Sequence, residues 1–159
     1  MVVVGYRGDE VESLVRGKCS KVVWNYDYEK SDMFKSIKIG LESLRGVQGV
    51  FIVPGDMPLI SKETFENLIK AMEVTNGKVI IPIIDNRPKH PPLIHINCIK
   101  EILEYKGNNG LRGALSELND YTHYVQVNDV GCTMDADTSE EYERIKLYYE
   151  EFILEEKRR

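Results

Sequence analysis

Three aspartates of this sequence stand at spacings that suit the binding of a divalent cation. Asp56 follows an apolar run at residues 50–53 and a Pro-Gly turn, in the stretch Gly-Asp-Met-Pro. Four consecutive apolar residues predict a buried central strand, and ligands of open α/β sheets bind beyond the carboxyl ends of such strands. A carboxylate at that place could hold Mg²⁺ against the phosphates of a nucleotide, or Asp56 could simply cap the turn.

Asp135 and Asp137 are separated by a single residue. In an extended backbone two such side chains face the same way, so they could join Asp56 as oxygen ligands of Mg²⁺. In the alternative interpretation, Asp137 and Thr138 only begin the last helix. Sequence spacing leaves both interpretations open.

Further candidates could bind an anion. A Gly-rich stretch at 107–110 followed by an arginine offers backbone N–H groups and a guanidinium, although such a stretch can also be only a turn. A Pro-rich hairpin, with its turn at 85–88 and its return strand at 92–95, contains a histidine, a residue type that is more often structural than catalytic in this setting. The positions singled out for binding a phosphate-bearing ligand are Asn25, Ser36, Arg87, His90, Gly110 and Arg112.

Composition excludes several classes of function. The chain has 159 residues, 42% of them apolar, which fits one domain with a core of its own. Its net charge of −5 does not favour nucleic acid as a partner. No apolar run approaches the length of a membrane span, and the first residues do not resemble a signal peptide. The three cysteines lack metal-binding spacing, which indicates reduced thiols and a cytoplasmic protein.

Strand-like and helix-like segments alternate along the chain. This order predicts an α/β fold with three layers and a mostly parallel sheet. Pro82 interrupts one strand, which is therefore expected toward an edge, with the return strand of its hairpin at 92–95. The predicted strands are residues 2–4, 21–24, 50–53, 79–84, 92–95 and 122–127.

Helix starts and inward faces are predicted from caps and from apolar residues at three- and four-residue spacing. The expected N-cap residues are Asp9, Asp32, Ser61 and Thr138, the first and last with capping boxes, while Gly46 and Asn76-Gly77 are expected to end helices. The expected inward side chains include Met33, Phe34, Ile37, Leu41, Leu44, Phe65, Leu68, Ile69, Met72, Tyr142, Ile145, Tyr149, Phe152 and Ile153.

Several of these segments, in the same order, resemble the MobA-like NTP transferases, with molybdenum cofactor cytidylyltransferases the most similar members. Gly55-Asp56-Met57-Pro58 resembles the metal-binding signature of that family. Residues 90–94 resemble its His-Pro-Pro-Leu hairpin, and residues 107–112 its Gly-rich turn with an arginine. Residues 25–41 resemble its loop and helix, and residues 129–138 resemble its final acidic segment.

The resemblance implies a Rossmann-like nucleotidyltransferase fold in which Mg²⁺ and an NTP bind over the strand ends. A phosphate-bearing acceptor such as a pterin would attack the α-phosphate, and pyrophosphate would leave. Asp56 and Asp135 are then the catalytic candidates, with Asp56, Asp135 and Asp137 as metal ligands. Arg112 and the His90 hairpin would lie on the acceptor side, and the nucleotide would be CTP or GTP.

The resemblance begins at what looks like the third strand of the family. It therefore implies that the usual N-terminal strand and its triphosphate-binding loop are lacking, and that a homodimer or a partner subunit could cover the exposed sheet edge. Two alternatives stay open. The chain could be a non-catalytic remnant or interaction module of the same fold, or a nucleotidyltransferase for sugar phosphates or isoprenoid alcohols.

Overall fold

The computed structural model describes residues 1–19 and 21–154, except for the side chains of Phe152 and Ile153. The inward position predicted for those two side chains thus lies outside the described residues. The chain divides into two compact units, one formed by Met1–Val50 with His95–Tyr121 and the other by Phe51–Ile94 with the residues from Thr122 onward. A single domain stays a prediction.

The first unit contains a two-stranded parallel sheet. Strands β1 (Val2–Val4) and β2 (Val22–Trp24) pair in register, with Val2 opposite Val22 and Val4 opposite Trp24. Its helices are α1 (Gly8–Val15), α2 (Met33–Glu42), α4 (Ile99–Glu104) and α5 (Gly110–Ser116). Short 3₁₀ turns cover Tyr28–Lys30, Ile96–Cys98 and Asn119–Tyr121.

A second sheet has the strand order β3-β6-β4-β5, with β7 also paired to β4. Its strands are β3 (Gly49–Phe51), β4 (Val79–Ile84), β5 (Arg87–Pro88), β6 (Leu93–His95) and β7 (Thr122–Gln126). The β7 strand runs parallel to β4, whereas β5 and β6 are antiparallel to it. The α/β class is confirmed, but these pairings make the sheet mixed rather than mostly parallel.

Strand β4 lies inside its sheet, so the edge position predicted from Pro82 is wrong. A proline has no N–H to donate, but the carbonyl of Pro82 accepts a hydrogen bond from Lys89 N at 2.8 Å. The side chain of Pro82 is fully buried. By contrast β3, predicted to be central and buried, is half-buried and stands at one end of the strand order, and Val53 beyond it is 45% exposed.

The core of the second unit forms where α3 (Lys62–Thr75) covers the sheet. Leu68 of this helix packs against Ile80 and Leu93, all nearly inaccessible to solvent. The Ser61 side chain accepts the amide of Thr64 and Asn76 ends the helix in a left-handed conformation, which confirms both predicted boundaries. Beyond β7, Val130–Thr133 forms a 3₁₀ turn, α6 is Ser139–Tyr148, and a π turn at Tyr149–Ile153 follows.

Some predicted caps and faces are wrong. Helix α1 begins at Gly8, so Asp9 lies in the first turn, and the N-cap position is held by Arg7 in a left-handed conformation. Helix α2 ends at Glu42, four residues before Gly46. The exposed side chains on the predicted inward faces are Met33, Ile69, Tyr142 and Tyr149. Each lies at the margin of an apolar stripe, where spacing alone does not distinguish a buried from an exposed side chain.

Within residues 1–19 and 21–154, no helix combines the length and apolar character that a membrane crossing requires.

Candidate functional site

The loop that carries Asp56 is fixed through its backbone. Met57 N donates to the carbonyl of Pro54 at 3.4 Å, which closes the turn. The backbone carbonyl of Asp56 accepts a hydrogen bond from Ala136 N at 3.1 Å. This bond joins the turn to the segment that carries Asp135 and Asp137, and it places the three sequence-predicted carboxylates in two adjoining backbone segments.

The carboxylate of Asp56 has an unusual environment. Its Oδ1 atom is buried and receives no hydrogen bond from the described part of the chain. A buried anionic oxygen without a donor is costly, and a cation bound to it would remove that cost. The backbone role of Asp56 is therefore separate from its side chain, whose Oδ1 caps no turn within the described residues.

The residues fit a divalent cation bound by few protein ligands. Among residues 1–19 and 21–154, no group of three or more His, Cys, Asp or Glu side chains is arranged to hold a metal ion. Asp135 and Asp137 are both exposed. Mg²⁺ commonly takes only one or two carboxylates and completes its shell with phosphate oxygens and water. Asp56 suits this mode, and the set of Asp56, Asp135 and Asp137 stays a prediction.

The prediction that Thr138 begins the last helix is confirmed. Thr138 is the N-cap of α6, and its hydroxyl accepts the amide of Glu141 while the Glu141 carboxylate accepts the amide of Thr138. Asp137 precedes this capping box and is not needed for it. The exposed carboxylate of Asp137 is therefore available to a ligand.

Asp129, which was not among the site residues predicted from the sequence, accepts several hydrogen bonds through its half-buried carboxylate. Its Oδ2 accepts hydrogen bonds from Ser61 N at 2.8 Å and from Thr64 Oγ1 at 2.6 Å, and its Oδ1 accepts one from Gly131 N at 2.9 Å. Cys132 Sγ lies 3.6 Å from Oδ2 as a further weak donor. Burial alone raises the pKa of Asp129, but the hydrogen bonds from Thr64, Ser61 and Gly131 outweigh it and hold the pKa below its ordinary value.

Gly131 brings two backbone segments into close approach. A Cβ atom at this position would collide with the carbonyl group of Leu59 and with Ile60 N. Only glycine therefore allows the turn after Asp129 to lie directly against the end of the Asp56 loop. A buried Ser-x-x-Thr helix start and a downstream Asp-x-Gly are the sequence signals that could have indicated this contact.

The hairpin that carries His90 has a different shape from the prediction. The turn consists of Asp85 and Asn86, both with positive φ, and the return strand already begins at Arg87. Arg87 is exposed on β5, and the His90–Pro91 peptide bond is cis. Atom Nδ1 of His90 is buried and has no hydrogen-bond partner within the described residues.

Asn25 and Ser36 are brought together in the first unit. Asn25 is 1% exposed at the carboxyl end of β2, and its Nδ2 donates to Ser36 Oγ at 2.9 Å and to Ser31 Oγ at 3.0 Å. Its Oδ1 accepts the amide of Asp27 at 3.1 Å. The side chain of Asn25 is thus engaged in holding the loop that precedes α2.

Gly110 and Arg112 lie at the start of α5. Gly110 has a φ of 53°, a conformation that glycine adopts without strain, and Arg112 is exposed without a hydrogen bond or ion pair to other described residues. Tyr105 supports this loop, because its hydroxyl fills the space where Gly107 and Gly113 lack side chains. The side chain of Arg112 is therefore exposed to solvent, while the backbone around it is packed against Tyr105.

Lys38 of α2 fixes the same region from the other side. Its Nζ donates to the carbonyls of Leu103 at 2.9 Å and Tyr105 at 2.6 Å, and it lies 4.7 Å from the ring centroid of Phe34. A nearby groove is lined by Glu101, Glu104, Tyr105, Lys106, Gly107 and Glu117. Its three glutamates make it unsuited to an anionic ligand.

Comparison with known sequences identifies the family. Residues 1–122 match the family described as the MobA-like NTP transferase domain. The chain belongs to this family. It is 24% identical over 152 residues to the molybdenum cofactor cytidylyltransferase of Escherichia coli (strain K12), a match that spans 95% of this chain and 76% of that protein.

Solved structures show the same fold. A nucleotidyl transferase from Methanothermobacter thermautotroptrophicus superposes with a TM-score of 0.72 at 20% identity, over 93% of this chain and 72% of that one. Rv0371c from Mycobacterium tuberculosis H37Rv, in complex with manganese, gives 0.68 at 17% identity, over 91% and 76% of the two chains. The Rossmann-like nucleotidyltransferase fold is therefore confirmed.

Proposed function

We propose that this domain transfers a nucleotidyl group from an NTP to a phosphate-bearing acceptor with the help of a divalent cation, Mg²⁺ in the cell. The observation that carries the proposal is the Asp56 carboxylate, which has a buried oxygen without a hydrogen-bond donor in a MobA-like domain. CTP is the preferred nucleotide and a molybdopterin-type pterin the preferred acceptor, because the E. coli relative is a molybdenum cofactor cytidylyltransferase.

The residues of this chain would divide the work by charge. Asp56 would hold the cation, with Asp135 or Asp137 in support. Arg112 would bind phosphate oxygens of the acceptor, since an exposed guanidinium without a hydrogen bond or ion pair to other described residues can form two parallel hydrogen bonds to them. A bound cation would neutralise the charge on the phosphates during transfer.

His90 and Arg87 would serve the acceptor. The buried, unpaired Nδ1 of His90 can accept or donate one hydrogen bond, depending on its protonation, and so can fix a polar group of the acceptor. Arg87 is exposed on the same hairpin and offers a second cationic donor. Asn25 and Ser36 would act indirectly, because their hydrogen bond holds the loop before α2.

Calorimetric titration with CTP and with GTP, each with MgCl₂, tests the proposal before any acceptor is known. We expect saturable binding of CTP that weakens in Asp56→Ala and stays unchanged in Arg112→Ala, because Arg112 is assigned to the acceptor. Pyrophosphate release with a molybdopterin acceptor is then measured with the same proteins. Absence of binding for both nucleotides would reject the proposal and support the non-catalytic or interaction module of the same fold.

A further inference from the structure

Two aspartates of the second unit stand in opposite situations. Asp129 has donors on both carboxylate oxygens, whereas Asp56 has a buried oxygen without one. A carboxylate with both oxygens engaged is poorly suited to bind a metal, and a carboxylate with one unengaged oxygen is well suited. This difference favours a structural role for Asp129 and a metal-binding role for Asp56.

The segment at 129–136 contacts the loop at 56–61 at both of its ends. At one end Asp129 bonds Ser61 and Gly131 lies against the Leu59 carbonyl. At the other end Ala136 N donates to the Asp56 carbonyl. Because the loop is held at both of its ends, its position and its direction are fixed.

We propose that Asp129 is a positioning residue for the cation site, and that it acts through the backbone of Ala136 on Asp56. This inference rests on the proposed function, because it assumes that Asp56 binds the cation. The partners of Asp129 lie at positions 61 and 64, at the start of α3. Asp129 thereby fixes the segment 129–136 to a rigid helix, and the orientation of Asp56 depends on that attachment.

Two variants, Asp129→Asn and Thr64→Val, test the proposal, and two more, Thr64→Ser and Ile80→Val, are controls. Asp129→Asn keeps the size of the side chain but replaces one acceptor oxygen with an amide group that cannot accept. Thr64→Val replaces the hydroxyl that donates to Asp129 with a methyl group, and Thr64→Ser retains the hydroxyl. Ile80→Val is the matched control, because it removes one methylene from the core of the same unit without touching these hydrogen bonds.

The first readout is the affinity for Mn²⁺, followed by the electron paramagnetic resonance signal of the unbound ion. We expect the dissociation constant to rise about tenfold in Asp129→Asn and in Thr64→Val, as is typical when support of a metal ligand is lost. Thr64→Ser and Ile80→Val should stay within about twofold of the unmodified protein, as expected of changes that leave the site alone.

The second readout is amide hydrogen exchange at Ala136, which reports the bond to Asp56 without any metal. Exchange should accelerate in Asp129→Asn and stay unchanged in Ile80→Val. Equal Mn²⁺ affinities in Asp129→Asn and Ile80→Val, or unchanged exchange at Ala136, would overturn the proposal and leave Asp129 a purely structural residue.

The two proposals fail in different ways. Mn²⁺ binding that depends on Asp129, in a protein that neither binds CTP nor GTP, would remove the proposed function and retain the positioning role. If the protein binds a nucleotide but its Mn²⁺ affinity does not depend on Asp129, the proposed function is retained and the positioning role is lost. A protein that binds no Mn²⁺ would overturn both.

Discussion

Replacement of Asp56 by alanine should separate metal binding from stability. The hydrogen bond that joins Asp56 to the neighbouring segment uses its backbone carbonyl, which any residue retains. Its Oδ1 is buried without a donor, so the side chain contributes little to folding in the absence of a cation. Since an unsatisfied buried polar group costs about 1–3 kcal/mol, its removal should be neutral or slightly stabilising.

The expected melting temperatures follow from these terms. For a chain of this size about 1 kcal/mol corresponds to roughly 2–4 °C, so Asp56→Ala should melt within about 4 °C of the unmodified protein without metal. A ligand at about one hundred times its dissociation constant stabilises by about 2.7 kcal/mol, which corresponds to roughly 5–11 °C. The unmodified protein should show this shift with MnCl₂ and CTP, and Asp56→Ala should lose the part that depends on the cation.

Differential scanning fluorimetry with and without MnCl₂ measures both quantities. Asp56→Asn keeps the shape of the side chain and should also lose the shift, because the charge is removed. Asp27→Ala is the control, since Asp27 is exposed and its side chain does not cap the turn it precedes. A fall of 10 °C or more in Asp56→Ala without metal would refute the reasoning and make Asp56 structural, as would a full metal-dependent shift.

Other expectations follow from the same geometry. Asn25→Ala should lower the free energy of unfolding in urea by about 1–3 kcal/mol, because it removes three part-buried hydrogen bonds, to Ser31, Ser36 and the amide of Asp27. Arg112→Ala should lower pyrophosphate release with the phosphate-bearing acceptor without changing CTP binding in calorimetry or the melting temperature. The lowered pKa of Asp129 contributes stability above its unfolded pKa, so the free energy of unfolding should fall as acid titration passes from about pH 4 toward the folded pKa, and Asp129→Asn should lack that part of the fall. Burial, together with the nearby Asp129 carboxylate, raises the pKa of Cys132 to about 12, so in the native protein Cys132 should resist a thiol reagent at pH 8 while the half-buried Cys19 reacts, as mass spectrometry of the labelled protein would show.

Local signals in the sequence were sufficient for much of the fold. Caps at Asp32, Ser61 and Thr138 and the stop at Asn76 depend on residues only a few positions apart, and all four are confirmed. The position of β4 was predicted wrongly, because its pairing is set by partners far along the chain. Pro82 argues for an edge because it has no N–H to donate, but sequence does not show that β4 pairs with both β6 and β7.

The sequence was sufficient to predict which residue types form the candidate site. It was less informative about the hydrogen bonds that hold those residues in place. The Gly-Asp-Met-Pro loop was identified from the turn and from the family resemblance. Asp129 was not chosen, because its partners Ser61 and Thr64 lie 68 and 65 residues away. Asn25 was predicted to bind a ligand, because the sequence does not show that its side-chain amide donates to two serine hydroxyls.

The Tyr105 hydroxyl has a consequence for how this domain can change during evolution. It occupies the space of a side chain at both Gly107 and Gly113, so neither glycine can become alanine while the tyrosine remains. Loss of the hydroxyl alone, as in Tyr105→Phe, would not open room at Gly113, because the ring atom Cζ would remain 2.7 Å from the added Cβ. Among homologous sequences, positions 105 and 113 should therefore covary, with glycine at 113 wherever 105 is tyrosine or phenylalanine.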